Sequence, residues 1–358
     1  MKLSTLRHAR VGTLVAVTII FSILRPDPCP GADVSAHIPH LTGQTDAHDP
    51  STIFKENGQY HLFTTGRIIR RLSSPDLVHW TNGPSVFASP PAWTTNAVPE
   101  YRGHTWAPDV IRVGDRYLLY YSVSSFGKQV SAIGLATSPT LDPESPAYEW
   151  TDQGPVLQSK VGDPYNAIDP SVMLDPQNRL WMAFGSFWQG LYLVQLDPAT
   201  GKLRDPEKPA TRLAYTPEIE APALTHRDDY YYLFVNWGRC CQGTNSTYEV
   251  RVGRSQTVTG PYVDRDGVDL VAGGGTPFLE TRDAFIGPGH IGLYSEGGTN
   301  WFSYHYYDAR RRGRSQLALG QIQWSEDGWP VAKIAPTDVE LQPGQPPAPE
   351  PREQSPGN

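Results

Sequence analysis

Three acidic residues stand beside prolines at widely separated points of the chain, and each one opens an apolar run. They are Asp49 in His48-Asp-Pro-Ser51, Asp169 in Asn166-Ala-Ile-Asp-Pro-Ser171 and Glu220 in Ile219-Glu-Ala-Pro222. Glycoside hydrolysis needs two converging carboxyl groups that differ in protonation, one to activate water or attack the sugar and one to protonate the leaving oxygen. The pattern predicts such a site, although each residue taken alone fits an Asp-Pro turn with a capping role equally well.

The neighbours of these carboxyl groups suggest different roles for them. The apolar flank of Glu220, formed by Ile219 and Ala221, favours a protonated acid. His48 beside Asp49 favours an ionised one. A third carboxylate nearby, Asp169, would raise the pKa of the acid because like charges resist joint ionisation.

The proline phrases are part of a repeat. Their prolines recur at roughly 50–65-residue intervals, and each is followed by a polar turn, an aromatic strand-like run and a further strand. A fourth, outer strand can be placed around Trp80, Trp150 and Trp329. The aligned prolines are Pro50, Pro108, Pro170, Pro222 and Pro288.

Five repeats of about four antiparallel strands predict an all-β fold, a five-bladed β-propeller with four-stranded antiparallel blades, over residues 37–335. A composition of 11% aromatic residues with 33 Gly and 34 Pro agrees with many short strands and turns. A two-sheet sandwich is the alternative, but it does not explain the repeated phrase.

In a propeller the first strand of every blade lines the central channel, so the proline-aligned positions meet at one mouth. Asp109 follows its proline and Asp163 lies off register, so we expect both to be structural or, at most, to support a residue of the site without touching substrate. Trp106 stands at the position that Glu220 holds in its own repeat, where it would stack on a sugar or pack in the core. His290 would organise water, bind a metal or simply pack.

The net charge is −7 and the basic residues are scattered, so the sequence shows no basic patch of the kind that binds nucleic acid. Residues 1–36 have the basic start, apolar run and small residues of a secretory signal peptide, which predicts a secreted or periplasmic protein. A retained membrane anchor is the alternative, but the run is short for a span. The Pro-rich segment 336–358 is predicted to be disordered.

Three cysteines do not form a disulfide framework. Cys29 falls within the predicted signal peptide. Cys240 and Cys241 are adjacent, and free thiols in a loop are expected in preference to a strained vicinal disulfide.

Taken together, the motifs resemble glycoside hydrolase family 43 over about residues 40–335, and they are most similar to its endo-α-1,5-L-arabinanases. The segments that carry this resemblance are His48-Asp-Pro-Ser51, Thr105-Trp-Ala-Pro-Asp109, Asn166-Ala-Ile-Asp-Pro-Ser171, Glu218-Ile-Glu-Ala-Pro222, Cys240-Cys-Gln-Gly-Thr-Asn-Ser-Thr-Tyr248, Arg251-Val-Gly-Arg-Ser255, Gly273-Gly-Gly-Thr276 and Gly287-Pro-Gly-His290.

The resemblance implies a propeller and an inverting mechanism. It implies Asp49 as general base, Glu220 as general acid and Asp169 as the residue that tunes and orients the acid. It also implies a calcium or similar ion in the channel, held largely through waters near His290, and contacts to substrate from Trp106, Asn166 and Ser186.

The resulting hypothesis is a secreted, monomeric endo-arabinanase that acts on the arabinan of pectin and has no membrane partner after processing. Two alternatives stay open at this point. One is an exo-acting arabinosidase or xylosidase of the same fold, and the other is a non-catalytic carbohydrate-binding propeller.

Overall fold

Five small β-sheets follow one another along the chain in the computed structural model, which describes residues 38 and 40–335. The predicted signal peptide 1–36 and the Pro-rich segment 336–358 lie outside the described residues. Within the described part, no helix has the length and apolar character needed to cross a membrane.

The first two sheets form blades 1 and 2. Blade 1 has the strand order β1-β6-β5-β3-β2, and blade 2 has the order β10-β9-β8-β7-β4. The strands are β1 (Thr42–Gly43), β2 (Phe54–Glu56), β3 (Gln59–Thr64), β4 (Gly66–Arg67), β5 (Arg70–Ser74), β6 (His79–Asn82), β7 (His104–Val113), β8 (Arg116–Val123), β9 (Ser131–Ser138) and β10 (Thr151–Ser159).

Blades 3, 4 and 5 each contain four strands in simple chain order. Three short 3₁₀ turns lie among them, at Gly243–Asn245, Leu270–Ala272 and Ala309–Arg311. The strands are β11 (Ser171–Leu174), β12 (Leu180–Phe184), β13 (Leu191–Leu196), β14 (Thr211–Ala214), β15 (Ile219–Arg227), β16 (Tyr230–Trp237), β17 (Glu249–Ser255), β18 (Thr276–Leu279), β19 (Phe285–Glu296), β20 (Thr299–Asp308), β21 (Arg314–Trp324) and β22 (Pro330–Ile334).

The predicted propeller of four-stranded antiparallel blades is confirmed. The two additional strands, β1 and β4, have only two residues each, and β1 pairs with β6 in parallel. The three tryptophans expected at the outer strands are also found there, with Trp80 in β6, Trp150 just before β10 and Trp329 just before β22.

The central strands of the blades are buried on both faces because neighbouring blades cover both sides of each sheet. β8 and β12, for example, are almost entirely buried. Their sequences therefore read as continuous apolar and aromatic runs, and not as the alternation expected of a sheet with one wet face. The core accordingly divides into clusters that lie between successive blades.

The first strand of each blade bends at one mouth of the channel through a residue in the left-handed conformation. These residues are Asp49, Ala107, Asp169, Ala221 and His290, with φ between 43° and 57°. A non-glycine residue in this region costs on the order of 1–3 kcal/mol. Its presence once in every blade marks a backbone feature that the fold repeats.

The fifth member of this set corrects the proline alignment. Gly289 pairs with His305 across the blade as Trp106 pairs with Ser122 and as Glu220 pairs with Asn236. The equivalent of Asp49 in blade 5 is therefore His290, and Gly287 and Pro288 form an additional bulge before it. The spacing of the prolines could not reveal this bulge, because the bulge adds residues to the strand and leaves the Gly-Pro-Gly-His motif unchanged.

We call each boundary between neighbouring blades a seam. At every seam, one hydrogen bond joins the left-handed residue of a blade to the preceding blade. The backbone N–H of each left-handed residue donates to a side chain at distances between 2.8 and 3.2 Å. The pairs are Asp49 to His305 Nδ1, Ala107 to Thr65 Oγ1, Asp169 to Ser122 Oγ, Ala221 to Asp169 Oδ2 and His290 to Asn236 Oδ1.

The ring closes between blade 5 and blade 1. Besides the bond from Asp49 to His305, the Ser303 hydroxyl donates to the Ser51 carbonyl and the Leu317 amide donates to the Thr45 carbonyl. Leu317 also packs in a cluster with blade 1 residues. Side-chain and backbone contacts therefore join the first and last blades.

Asp109 joins three blades inside the channel. Its Oδ1 accepts from the Thr52 amide at 3.1 Å and its Oδ2 accepts from the Val172 amide at 2.9 Å. Burial raises the pKa of this carboxyl to about 6. The expected structural role of Asp109 is confirmed, and Asp163 lies in the loop 160–165, where it caps the Lys160 amide.

Replacing Asp109 by Ala should lower the free energy of unfolding by about 2–4 kcal/mol, because two buried amides from neighbouring blades lose their acceptor. Asp163→Ala is the matched control and should stay within about 1 kcal/mol of the unsubstituted protein. Urea unfolding followed by tryptophan fluorescence measures both. Equal stability of the two variants would contradict the bridging role.

Candidate active site

The channel opens at its mouth onto the three predicted carboxyl groups. Below them the channel forms a cavity of about 280 Å³ whose wall includes Pro50, Pro108, Pro170, Pro222 and Ile291. Asp49, Asp169 and Glu220 are all at least nine-tenths buried. The fold thus brings together side chains from blades 1, 3 and 4 that are far apart in sequence.

Asp49 lies among histidines. Its Oδ1 is 2.7 Å from His48 Nδ1 and 3.4 Å from His290 Nδ1, and its Oδ2 accepts from the Thr65 hydroxyl at 2.5 Å. Burial works to raise the pKa of Asp49, but His48 and then His290 outweigh it and hold the pKa well below its usual range. Asp49 is therefore a carboxylate at neutral pH.

His48 carries the matching positive charge. Burial lowers its pKa, but the Asp49 carboxylate outweighs this effect and raises the pKa of His48 to about 10. Its Nε2 lies 2.7 Å from the Tyr307 hydroxyl, and its ring stacks on His305 with centroids 3.9 Å apart. The ring is therefore fixed on both nitrogens and on one face.

Glu220 lies in a different environment. Its Oε2 accepts a hydrogen bond from the Ser186 hydroxyl at 2.7 Å, and Tyr248 is a second neighbour of the carboxyl group. Burial raises the pKa of Glu220, and the negative charge of Asp49 raises it further. The hydroxyl groups of Ser186 and Tyr248 oppose this rise without cancelling it.

In blade 3, Asp169 supplies the acceptor for the hydrogen bond between neighbouring blades. The residue of blade 3 that matches Thr65, Ser122 and Asn236 is Gly185, which has no side chain to accept from the Ala221 amide. Asp169 Oδ2 accepts that hydrogen bond instead, at 3.2 Å. Burial and the neighbouring Glu220 raise the pKa of Asp169 well above its usual range.

The site therefore divides electrostatically. The histidines hold Asp49 ionised. Burial and mutual repulsion disfavour the state in which Glu220 and Asp169 are both ionised, so the pair retains a proton. Carboxyl groups whose environments push their pKa values apart are the usual arrangement of an acid–base pair. The geometry can perform hydrolysis that needs one proton acceptor and one proton donor.

Comparison with known proteins agrees with this chemistry. Residues 39–330 match the sequence profile of the glycosyl hydrolases family 43. The chain belongs to this family. It is therefore a glycoside hydrolase by family, and the resemblance of its motifs is confirmed.

Relatives in family 43 include enzymes named for two modes of action. An extracellular exo-α-(1→5)-L-arabinofuranosidase of Cellvibrio japonicus is 39% identical over 300 residues, which cover 80% of this chain and 86% of that protein. An extracellular endo-α-(1→5)-L-arabinanase of Bacillus subtilis is 40% identical over 291 residues, which cover 79% and 86%.

Solved structures from the family have the same fold. An α-L-arabinanase of Cellvibrio cellulosa complexed with arabinohexaose has a TM-score of 0.78 at 37% identity, covering 82% of this chain and 99% of that one. An exo-1,5-α-L-arabinanase from a bovine ruminal metagenomic library has a TM-score of 0.77 at 42% identity, with 80% and 97% covered.

The predicted substrate-binding residues of this family 43 enzyme have different surroundings. Trp106 is partly exposed at the mouth, and its indole N–H donates to His104 Nδ1 at 3.0 Å. Ser186 contacts Glu220 directly. Asn166 is buried, with Oδ1 3.5 Å from the Ser159 hydroxyl of blade 2. Contact with substrate stays a prediction for all three.

The segment 85–104, between blades 1 and 2, contains the short helix α1 (Trp93–Ala97). Val86, Val98 and Tyr101 pack into the cluster between blades 1 and 2, and the Trp93 indole donates to Asp152. The segment is therefore a packed cover on blade 2.

Four residues of the site were missed by sequence reasoning. Thr65 and His305 orient Asp49, Tyr248 neighbours Glu220, and Cys241 lies beside His48 with its Sγ 3.7 Å from Nε2. Tyr248 and Cys241 stand in a motif that the resemblance had marked. Thr65 directly follows the second strand of blade 1 and His305 lies on the second strand of blade 5, where only the register of the repeat could have indicated them.

Gly289 is required where it stands. A Cβ atom at this position would lie 2.0 Å from the side-chain nitrogen Nδ2 of Asn236 and 2.6 Å from the Tyr248 ring. Blade 5 therefore has no side chain at the position that Trp106 holds in blade 2 and Glu220 holds in blade 4. The space admits the Tyr248 ring beside the site.

The surroundings of His290 fit a hydrated ion better than a directly bound one. Calcium prefers six to eight oxygen ligands, whereas the nearest acidic group to His290, Asp49, is already paired with His48 and Thr65. Both oxygens of Asp109 are likewise used by amides. The cavity of about 280 Å³ is roomy enough for several waters.

Proposed function

We propose that this enzyme hydrolyses α-1,5-linked arabinan by an endo-acting, inverting mechanism. The observation that carries the proposal is the meeting of two buried carboxyl groups in opposite surroundings at one mouth, Asp49 among histidines and Glu220 beside the Ser186 hydroxyl. The names of the family 43 relatives, both endo and exo, support arabinan as the substrate.

In this mechanism Asp49 accepts a proton from the attacking water, and Glu220 gives its proton to the departing sugar oxygen. An inverting enzyme separates the two carboxyl groups by roughly 6.5–9.5 Å so that water fits between the base and the sugar. His48 holds the base ionised and aimed, and Asp169 keeps the acid protonated. Asp169 touches no reacting atom and acts as a positioning residue.

Exo action is the second candidate, because relatives and a solved structure with exo names match this chain about as well as those with endo names. A purely carbohydrate-binding propeller has no need of the displaced carboxyl pair. Xyloside substrates have no observation in their favour.

Glu220→Gln should lower kcat on arabinan by at least about 100-fold, because general acid catalysis contributes this much or more. The fold should persist, since Gln has the same shape. Glu218→Gln is the matched control: this nearby carboxylate is partly exposed and pairs with Arg239, so its loss should leave kcat unchanged. Reducing-sugar release from linear arabinan measures both, and full activity of Glu220→Gln would contradict the assignment.

The alkaline limb of the kcat/KM profile should report the protonation of Glu220. Asp169→Asn removes the second carboxyl group of the pair, whose repulsion opposes loss of the shared proton, so Glu220 loses its proton more easily and the limb moves to lower pH. Ser186→Ala removes a donor that stabilises the carboxylate, so the pKa rises and the limb moves to higher pH. Shifts in the same direction, or no shift in either variant, would argue against Glu220 as the acid.

One time course on linear arabinan tests both mode and stereochemistry. Endo action predicts early products of mixed length, whereas exo action predicts a single short product from the first minutes. Proton NMR of the same samples should show inverted anomers. Retained anomers would rule out the direct attack of water that is assigned to Asp49.

We also propose that a hydrated calcium or similar ion occupies the channel below the carboxyl groups, held by His290 through waters. Such an ion would supply positive charge beneath the site. Chelation should then lower the melting temperature or the activity, and elemental analysis should find the metal. An unchanged melting curve and activity, together with no detected metal, would remove the ion from the account.

We further propose that the enzyme is extracellular and monomeric. The N-terminal pattern supports export, and so do two relatives whose names describe them as extracellular. All of the residues assigned to the site come from one chain, so the site requires no second copy.

A further inference from the structure

The loop between β16 and β17 carries two adjacent cysteines to the edge of the site. Cys240 and Cys241 are both free, and Cys241 is exposed. The two Sγ atoms and His48 Nε2 all lie within 4.8 Å of one another. The proposed mechanism uses His48 only through its other nitrogen and does not use the thiols.

The loop holds the thiols in place beside His48. The Cys241 amide donates to the Tyr307 hydroxyl at 2.7 Å, and the Gln242 amide donates to the Ser246 hydroxyl at 3.1 Å. A 3₁₀ turn at Gly243–Asn245 follows, and Cys241 itself has a φ of 66°. The cluster is therefore largely organised before any ligand arrives.

Two thiols and an imidazole are the donors that soft or borderline divalent metals such as Zn²⁺ and Cd²⁺ select. Three protein ligands leave the fourth tetrahedral position to water, and the exposure of Cys241 provides access for an ion.

His48 also has the partner that metal-binding histidines usually have. Its Nδ1 is 2.7 Å from the Asp49 carboxylate, and such a carboxylate fixes the ring and raises the basicity of the opposite nitrogen. In the metal-free protein Nε2 is hydrogen bonded to Tyr307, which would release it to the ion and keep its bond to Cys241.

We propose that His48 Nε2, Cys240 Sγ and Cys241 Sγ form a binding site for a thiophilic divalent cation, and that its occupancy inhibits the enzyme. Coordination releases the two thiol protons and the Nε2 proton to solvent. The two thiolates cancel the charge of the ion, so Asp49 loses the balancing positive charge of His48, its pKa rises, and it no longer stays ionised as the proton acceptor must. Only the inhibitory part of this proposal rests on the proposed function.

The test is a titration of the full chain, reduced and freed of thiol-bound metal with dithiothreitol and kept in calcium chloride, with CdCl₂ and then with ZnCl₂. Cd²⁺ should bind at one equivalent with the ultraviolet charge-transfer band of a cadmium–thiolate bond. Arabinan hydrolysis should fall by at least about tenfold at saturation, because general base catalysis contributes more than this. Excess of a dithiol, which takes up Cd²⁺ and leaves Ca²⁺ in place, should abolish the band and restore the activity.

The double variant Cys240→Ser and Cys241→Ser should lose the band, and whatever activity it has without Cd²⁺ should not fall when Cd²⁺ is added. The matched control is His79→Ala, which removes an exposed surface histidine on the outer strand β6 and should titrate like the unsubstituted protein. If the double variant does not fold, unsubstituted protein alkylated at the exposed Cys241 gives the same comparison.

Absence of the band in the unsubstituted protein would overturn the site, and so would equal inhibition of the double variant. Equal inhibition would point instead to His48, Asp49 and His305, a second group whose ligand atoms lie together. A band without inhibition would overturn the regulatory part. A protein with the band but no arabinan hydrolysis would show that the proposed function, and not the metal site, is wrong.

Discussion

The arrangement at the channel mouth depends on one backbone feature, a left-handed residue at the bend of every first strand. An amide at such a bend cannot join the regular ladder within its own blade, so it must find an acceptor elsewhere. It finds one on the preceding blade, and this single requirement joins neighbouring blades at each seam. Three of the five bent residues, Asp49, Asp169 and His290, are also residues of the site.

Blade 3 shows how structure and chemistry become connected through this feature. Because Gly185 offers no acceptor, one oxygen of the Asp169 carboxyl accepts the hydrogen bond at this seam, while burial and the charge of the neighbouring Glu220 raise the pKa of Asp169. The same side chain thus holds blade 4 in place and, in the proposed mechanism, tunes the pKa of Glu220. Stability and catalysis are accordingly expected to change together when Asp169 is altered, more than when Ser186 is.

On the other side of the channel mouth, histidines surround Asp49 and control its charge. His48, His290 and His305 surround Asp49 from blades 1 and 5, where the ring of blades closes. Burial lowers the pKa of His290 and of His305, so His48 is the one that carries the balancing charge. The closing seam is therefore also the seam that keeps the proposed base ionised, and the cysteine loop of blade 4 lies against the same histidine.

The sequence by itself determined the propeller, the three carboxyl groups and the structural role of Asp109, because these depend on repeated local patterns and on motifs that survive in one dimension. It misplaced the fifth repeat by three residues, since a second bulge before His290 changes register without leaving a mark in composition. It also could not find Thr65, His305 or the cluster of His48 with two thiols. These groups act across seams between blades, and only the tertiary structure decides which side chains meet there, because the distance between blades is set by packing and not by sequence separation.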